Sequence, residues 1–243
     1  MGWHTKNTYG YIRTSTEAYD NARMIYDILA YCGWGLPAVC ACLGNCEAES
    51  GYNPWRWQNE VLLPVGDPRL YYQNSHAYGL FQQDPACKYI DDIYAQSIVG
   101  YGPNYADQTG NTNDGTAQCF YLHNICSDPD AGEWSNPWNS SYYMPFGDFI
   151  TDSTHTIEYL VHTFLVSYER GGWSDSRVTG AEYWYSVFQG VTPDPPPDPP
   201  PDPPTPPIVT GHSCPVWLFT RILADRENMH GKYRKQNGIY KKW

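Results

Sequence analysis

The sequence predicts an all-α, mainly helical domain that continues into a proline-rich linker and a short basic tail. Apolar residues recur every three or four positions in several segments, which is the period of a helix with one buried face. Capping residues, prolines and glycines stand at the ends of these segments, where helices begin and end. The composition changes abruptly at Thr192. We therefore expect a helical domain over 1–191, a linker over 192–207 and a tail over 208–243.

The first two helices have the clearest boundaries. Residues 14–17, Thr-Ser-Thr-Glu, have the spacing of a capping box, and Gly33 ends the apolar stripe that follows them. The members of this stripe are Ala18, Ala22, Ile25, Leu29 and Cys32. The second helix opens at Pro37, where a missing amide donor does no harm. The helix ends at Ser50-Gly51, and Pro54 keeps the chain after it from continuing as a helix.

Later segments predict shorter helices joined by loops. Asp84 is expected to cap a helix with Pro85 in its first turn. The strongest apolar stripe runs from Ile157 to Tyr168 and stops at Gly171-Gly172. Further helices are expected near 119–126, 144–149 and 181–188. Loops are expected over 58–78 and 97–114, with a short extended segment or a hairpin at 75–83.

The last part of the chain has a different amino-acid composition. Thr192–Pro207 repeats proline and aspartate, which predicts a stiff polyproline II spacer with a rise of ~3.1 Å per residue. The tail after it carries seven basic and two acidic residues, a net charge of +5 within a chain of net charge −11. Its apolar run at 216–223 is consistent with a short helix, and equally with a disordered segment that orders on a partner.

Composition argues against several classes of function. The acidic net charge argues against general nucleic-acid binding. The polar start has no apolar run typical of a signal peptide, and nothing downstream is expected to span a bilayer. The eight cysteines form no CxxC pair and no Cys/His zinc spacing, so we expect no metal and no cofactor. Buried thiols are expected, with a disulfide as the alternative in an oxidising compartment.

Two carboxylates, Glu47 and Glu49, lie in the last turn of the second helix. The negative end of the helix dipole disfavours an ionised carboxylate there by ~0.3–1 kcal/mol. A hydrophobic wall would favour the protonated form further, which is what a general acid requires near neutral pH. The two side chains point about 200° apart, so they cannot both face one cleft. The alternative is that both are solvated charges at a helix end.

Short motifs follow one another in an order that resembles a known family. Glu49-Ser50, Asn53-Pro54 and Tyr78-Gly79-Leu80-Phe81-Gln82 resemble the Glu-Ser and Gly-Leu-x-Gln pattern of lysozyme-like enzymes that cleave peptidoglycan. The closer resemblance is to the phage tail lysozyme family, and it covers roughly residues 18–190. Further matching pieces are Leu43-Gly44-Asn45, Trp57-Gln58, Pro85-Ala86, Met144-Pro145-Phe146, Tyr168-Glu169-Arg170 and Tyr183-Trp184-Tyr185.

This resemblance implies a lysozyme-like fold that cuts the glycan strand between N-acetylmuramic acid and N-acetylglucosamine. It implies a virion protein at the phage tail tip, made in the host cytoplasm and acting on the host cell wall. Glu49 would be the general acid. We expect Gln82 and Tyr78 to contact the glycan and Trp57 to stack against it, with packing in the wall of the site as the equal alternative for each. Other tail proteins would be partners of the C-terminal tail. Glu169 would be an inward helix charge paired with Arg170 or another arginine.

Two questions remain open in the sequence. A retaining or an inverting hydrolase needs a second carboxylate, for which Asp67, Asp84 and Glu60 are candidates. A lytic transglycosylase needs none, because the sugar's own groups complete the reaction. The alternative function is a structural or receptor-binding tail protein that keeps the lysozyme-like fold without its chemistry.

Overall fold

Helices make up most of the chain that the computed structural model describes. The described residues are 2–6, 15–60, 62–63, 67–72, 76–92, 95–96, 98, 100–104, 109–195, 233–236 and 239–242. The helices with defined bounds are α1 (Ser15–Tyr31), α2 (Leu36–Ser50), α3 (Cys87–Ile90), α4 (Asp114–Ser127), α5 (Phe146–Thr151), α6 (Ile157–Phe164) and α7 (Asp175–Phe188). Short 3-10 turns cover Gln58–Glu60 and Pro68–Tyr71. The predicted fold class, mainly helical, is confirmed.

Helix α2 is the centre of the domain. All residues from Ala38 to Cys46 are buried, because small and apolar side chains occupy every side of the helix. Helices α7, α6, α1 and α5 pack around it. The last turn of α2 reaches the surface, where Glu47 and Ala48 are exposed. The core helix therefore carries its only acidic side chains at the end that leaves the core.

The crossing of α2 and α7 is unusually close because both helices have glycine at the contact. A Cβ atom on Gly44 would lie 2.1 Å from the carbonyl oxygen of Arg177. A Cβ atom on Gly180 would lie 2.6 Å from Oε2 of Glu47. No side chain larger than hydrogen fits at Gly44 without separating the helices. This close approach brings α7 to the carboxyl-terminal half of α2.

Both predicted ends of α2 and the predicted carboxyl-terminal end of α1 are confirmed. Pro37 lies in the first turn of α2, and Gly51 caps its end in the left-handed conformation, with φ 55°. The Gly51 amide donates to the Glu47 carbonyl at 3.0 Å. Gly33 follows the end of α1 and also has a positive φ, 89°. Thr14 of the expected capping box lies outside the described residues, and α1 begins at Ser15.

Two predicted boundaries were wrong. Asp84 does not cap a helix, because α3 begins at Cys87 with Ala86 at the N-cap position, and the Asp84–Pro85 peptide bond is cis. The stripe from Ile157 to Tyr168 is not one α-helix either. Helix α6 ends at Phe164 and continues as a π-helical turn, Leu165–Glu169, which ends at the left-handed Arg170.

The two long loops contain short pairings. Tyr78 forms isolated antiparallel bridges with Trp57 and with Gln83, so residues 78–83 turn back on themselves. The expected loop at 97–114 contains a two-residue strand pair, β1 (Pro103–Asn104) with β2 (Thr109–Gly110). Both pairings are too short to produce an alternating hydrophobic pattern that the sequence could show.

The chain divides into two units, Met1–Pro201 and Asp202–Trp243. In the second unit, β3 (Tyr233–Gln236) and β4 (Ile239–Lys242) form an antiparallel pair in which Tyr233 faces Lys242. The sequence did not predict this pair. The segment at 216–223, for which a short helix and disorder were the alternatives, lies outside the described residues. The boundaries 1–191, 192–207 and 208–243 stay a prediction.

The first linker residues bind to α1. The carbonyl oxygen of Val191 accepts from the Tyr26 hydroxyl at 2.8 Å, and that of Thr192 accepts from Arg23 at 2.9 Å. The Asp194 amide donates to Asp27 at 3.0 Å, and its carboxylate lies 3.0 Å from Arg23. The linker therefore belongs to the helical domain as far as Asp194.

Two truncations test this boundary. A chain ending at Pro195 should keep the melting temperature of the full chain, because every contact with α1 remains. A chain ending at Gly190 should lose three hydrogen bonds of about 1 kcal/mol each, and its melting temperature should fall by several degrees. Calorimetry of both truncated chains measures the difference. Equal melting temperatures would show that residues 191–194 contribute nothing to the domain.

Candidate active site

Glu49 is joined to helix α7 by an ion pair at the end of α2. Its Oε1 accepts a hydrogen bond from Nη2 of Arg177 at 2.6 Å. The Arg177 side chain is 7% exposed and that of Glu49 is 22% exposed. A buried guanidinium therefore holds a carboxylate that solvent still reaches.

Asn45, one turn before Glu49, fixes the orientation of this arginine. Its Oδ1 accepts from Nη1 of Arg177 at 3.0 Å. Its own amide nitrogen donates to the carbonyl oxygens of Ala41 at 2.9 Å and Val161 at 3.4 Å. The Asn45 amide is thus tied to α2 and α6, and the guanidinium that it binds has little freedom to turn away from Glu49.

Glu169 is the second acidic side chain of this region. It is the last residue of the π-helical turn, and its Oε1 is buried without a hydrogen-bond partner among the described residues. Burial raises the pKa of Glu169 well above its ordinary value. The negative charge of Glu49 raises this pKa further, and the positive charge of Arg177 lowers it.

A cleft of about 210 Å³ opens beside Glu169. It is lined by Phe81, Gln82, Gln83, Asp84, Lys88, Glu133, Tyr168, Glu169 and Arg170. The charges on its other wall are already paired. Lys88 lies 2.9 Å from a carboxylate oxygen of Glu133, and Arg170 donates to the Glu133 carbonyl oxygen at 2.6 Å. Glu49, Arg177 and Glu169 thus form an acidic centre, of which only Glu169 is among the residues that line the cleft.

Comparison with known proteins identifies the family of the chain. Residues 20–188 match the family described as phage tail lysozyme. The chain belongs to this family. One relative is Morphogenesis protein 1 of Bacillus phage B103, which is 34% identical over 191 residues. The match covers 77% of this chain and 44% of the relative, so the chain spans less than half of that protein's length.

Within this phage tail lysozyme domain, Gln82 lies in the wall of the cleft. The Gln82 backbone has φ 44°. Its side-chain amide nitrogen, Nε2, donates to the carbonyl oxygens of Gly79 at 2.9 Å and Arg56 at 3.2 Å. The turn thus holds the Gln82 side chain at the cleft surface. Its contact with a glycan stays a prediction.

Of the two alternatives for Trp57 and Tyr78, the structure shows wall packing rather than glycan contact. Trp57 is 1% exposed and Tyr78 is 0% exposed, and their ring centroids are 4.6 Å apart. The Tyr78 hydroxyl donates to Asp114. The expectation that both contact the glycan is therefore corrected, because a fully buried ring offers no face to a sugar. The two rings support the wall beneath Gln82.

The three candidates for the second carboxylate have different environments. Asp67 caps the turn Pro68–Tyr71 and pairs with Arg69 at 2.7 Å, and these hydrogen bonds lower the pKa of Asp67 to about 2. Asp67 is not among the described residues that line the cleft. Asp84 does line the cleft. Glu60 closes the turn Gln58–Glu60, and its side chain lies outside the described part of the chain.

Sequence reasoning left three residues of this region without a role in the site. Arg177 stands 128 residues after Glu49, and no local pattern connects the two. Glu169 was recognised as an inward charge, but Arg170 binds the segment around Glu133 rather than Glu169.

Asp114 was the third missed residue, because its segment reads as the end of a polar loop. It is the first residue of α4, it is fully buried, and it accepts hydrogen bonds from the hydroxyls of Tyr78 and Tyr89 and from the Gly102 amide. Burial raises the pKa of Asp114 to about 6, although these hydrogen bonds act in the opposite direction. Asp114 therefore ties the cleft wall to α3 and α4.

The cysteines of the described segments are free thiols. They are Cys32, Cys40, Cys42, Cys46, Cys87, Cys119 and Cys126. Burial raises the pKa of the Cys40 thiol to about 12, so this thiol stays protonated. Across the same segments, no three His, Cys, Asp or Glu side chains form a group that could hold a metal ion. Cys214 lies outside the described residues.

The raised pKa of Asp114 predicts a pH-dependent stability. The folded state binds this proton more tightly than the unfolded state between the ordinary pKa of 3.8 and about 6. The unfolding free energy should therefore fall as the pH rises through this window, by at most about 3 kcal/mol at about 1.4 kcal/mol per pKa unit. Asp114→Asn removes this contribution.

Melting temperatures of both proteins between pH 4 and pH 7 measure the effect. The advantage of the unmodified protein over Asp114→Asn should grow as the pH falls from 7 to 4, because only the carboxyl group gains a proton. An advantage that stays constant over this range would contradict the pKa assigned to Asp114.

Proposed function

We propose that this protein cleaves the glycan strand of peptidoglycan between N-acetylmuramic acid and N-acetylglucosamine, with Glu49 as the general acid. A group that protonates the glycosidic oxygen must reach the substrate and must also be shielded enough to hold a proton. Glu49 is 22% exposed at the end of a buried helix, and its charge acts on Glu169 in the cleft wall. This placement, within a domain of the phage tail lysozyme family, is the observation that carries the proposal.

The second stage of the reaction has two routes. In a hydrolase, a second carboxyl group either attacks the sugar or activates water, at ~5–5.5 Å or ~6.5–9.5 Å from the acid. In a lytic transglycosylase, a hydroxyl of the muramic acid closes on the anomeric carbon instead. Both routes cut the same bond and need the same general acid, so the proposal for Glu49 holds for either.

We place this activity at the tip of a phage tail, where it would open the cell wall locally during infection. The family match and the phage relative support this setting. The basic second unit of the chain, opposite in charge to the acidic first unit, would bind other tail proteins. In the described segments, no helix is long and apolar enough to cross a membrane.

A second function deserves a test because of the ion pair itself. Oε1 of Glu49 accepts a hydrogen bond of 2.6 Å from a buried guanidinium, and such a pair can join two helices without taking part in any chemistry. A tail protein that uses this pair only to join α2 to α7 would keep the fold and lack the activity. Such a protein would serve the tail as a structural or receptor-binding component.

One substitution separates the two functions. Glu49→Gln removes the proton donor and keeps the size of the side chain and its ability to accept from Arg177. Cleavage of purified peptidoglycan should fall by about 100-fold or more, with helix content nearly unchanged. Zymography and the loss of turbidity of a cell-wall suspension measure the activity.

Glu47→Gln is the matched control in the same turn. Glu47 accepts from the Tyr52 hydroxyl at 3.0 Å, and glutamine can accept the same bond. Activity should therefore fall less than threefold. If both variants lose activity equally, or if Glu49→Gln remains fully active, Glu49 is not the acid.

A further inference from the structure

Trp173 presents a flat aromatic ring at the surface of the domain. It lies in the short connection between the π-helical turn and α7, and it is 42% exposed. Its indole nitrogen, Nε1, donates to Oδ1 of Asp175, the first residue of α7, at 3.0 Å. One face of the indole packs on the His162 ring, with the ring centroids 3.6 Å apart and the planes inclined by 6°. An exposed tryptophan is therefore fixed in one orientation.

The indole is the outer member of a stack of three rings. The Tyr142 ring also lies parallel to His162, with the centroids 4.3 Å apart and the planes inclined by 15°. Two rings this close to His162 would overlap if they shared one of its faces, so His162 lies between them. The Thr163 hydroxyl on α6 donates to the Tyr142 carbonyl oxygen at 2.6 Å and holds the inner ring. The exposed surface of Trp173 therefore belongs to its outer face and its edges.

Two glycines connect this ring to Glu49. A Cβ atom on Gly171 would lie 3.6 Å from Oε1 of Glu49 and 3.6 Å from Nη2 of Arg177. A Cβ atom on Gly172 would meet nothing within 4 Å. Since two residues of chain span at most about 7 Å, the Trp173 backbone is that close to Gly171. The segment between Glu49 and Trp173 thus carries no side chain that would keep a ligand away.

The same segment begins in the wall of the cleft. Glu169 and Arg170 line the cleft, Gly171 follows them and lies against Glu49, and Trp173 comes two residues later. The cleft, the candidate acid and the exposed ring are therefore arranged in this order along one stretch of chain. A linear polymer that passes Glu49 can contact the cleft on one side and the indole on the other.

We propose that Trp173 is a glycan-binding residue, on whose outer face a sugar ring of the peptidoglycan strand stacks. The C–H groups on one face of a pyranose form a flat apolar surface with hydroxyls at its rim, which matches an amphipathic aromatic ring. Because the stack already fixes the indole, binding costs little side-chain freedom. The inference rests on the proposed function and extends the site beyond the cleft. It makes Trp173, rather than Trp57 or Tyr78, the aromatic residue that contacts the substrate.

Binding of a defined sugar tests the inference without catalysis. The probe is a soluble tetrasaccharide of alternating N-acetylglucosamine and N-acetylmuramic acid, and Glu49→Gln in the full chain prevents its cleavage. The Kd, measured by isothermal titration calorimetry, should rise about five- to tenfold when Trp173→Ala is added. Trp173→Phe keeps a flat ring and should restore most of the affinity. The same Kd with and without the ring, or no binding by either chain, overturns the proposal.

Tyr31→Ala is the matched control for loss of an exposed ring. Tyr31 is 57% exposed and ends α1, five residues before α2 begins. Glu49 is at the other end of α2, about 20 Å along the helix from Leu36. The control should leave the Kd unchanged. If Trp173 only covers His162, Trp173→Ala should lower the melting temperature and leave the Kd unchanged, and that result also overturns the proposal.

A spectroscopic readout avoids any loss of stability in Trp173→Ala. The nuclear magnetic resonance signal of the Trp173 indole N–H is assigned by its absence from Trp173→Phe. This signal should shift when the tetrasaccharide is added to the Glu49→Gln chain, because a sugar stacked on the indole changes its surroundings. A signal that stays in place while the tetrasaccharide binds overturns the proposal.

The kinetics of peptidoglycan cleavage separate this inference from the proposed function. Trp173→Ala should raise KM about five- to tenfold and change kcat less than about twofold, because the ring binds a sugar and does not take part in the chemistry. Cleavage with an unchanged KM would contradict the inference alone. Failure of the unmodified chain to cleave peptidoglycan would contradict the proposed function, while calorimetry would still decide whether Trp173 binds the tetrasaccharide.

Discussion

The ion pair between Glu49 and Arg177 is the interaction on which the site depends. It is possible only because Gly44 and Gly180 let α2 and α7 approach until a Cβ atom would collide with the opposite helix. Asn45 then fixes the guanidinium from the same helix that carries Glu49. Packing, orientation and charge are therefore coupled: a larger residue at Gly44 would move Arg177 and change the electrostatics of the candidate acid.

The same packing also places the acidic side chains of this region. A core helix made of small residues brings Glu49 to the surface at its last turn, and the π-helical turn after α6 brings Glu169 to the cleft wall. A cleft wall braced by buried tyrosines and Asp114 then holds Gln82 on the open side.

The sequence was informative where the physical cause is local. Helical periodicity, Pro37 and Gly51 predicted α2 and its ends, and the position of Glu49 in the last turn predicted a candidate acid. Contacts between distant segments could not be predicted in this way. Arg177 and Glu169 meet Glu49 only through tertiary packing, and the burial of Trp57 and Tyr78 depends on bridges between segments 21 residues apart. Aromatic residues in a motif predict that their segment forms the wall of a site. They do not predict whether each ring faces the cleft or the core.

The central claim is that this acidic centre cuts a glycosidic bond. Mass spectrometry of the soluble products from purified peptidoglycan treated with the full chain tests it most directly. The account predicts muropeptides released by cleavage between N-acetylmuramic acid and N-acetylglucosamine, ending either in reducing sugars or in 1,6-anhydro sugars. Products with intact glycan strands and cleaved peptide bonds, or no products at all, would contradict it.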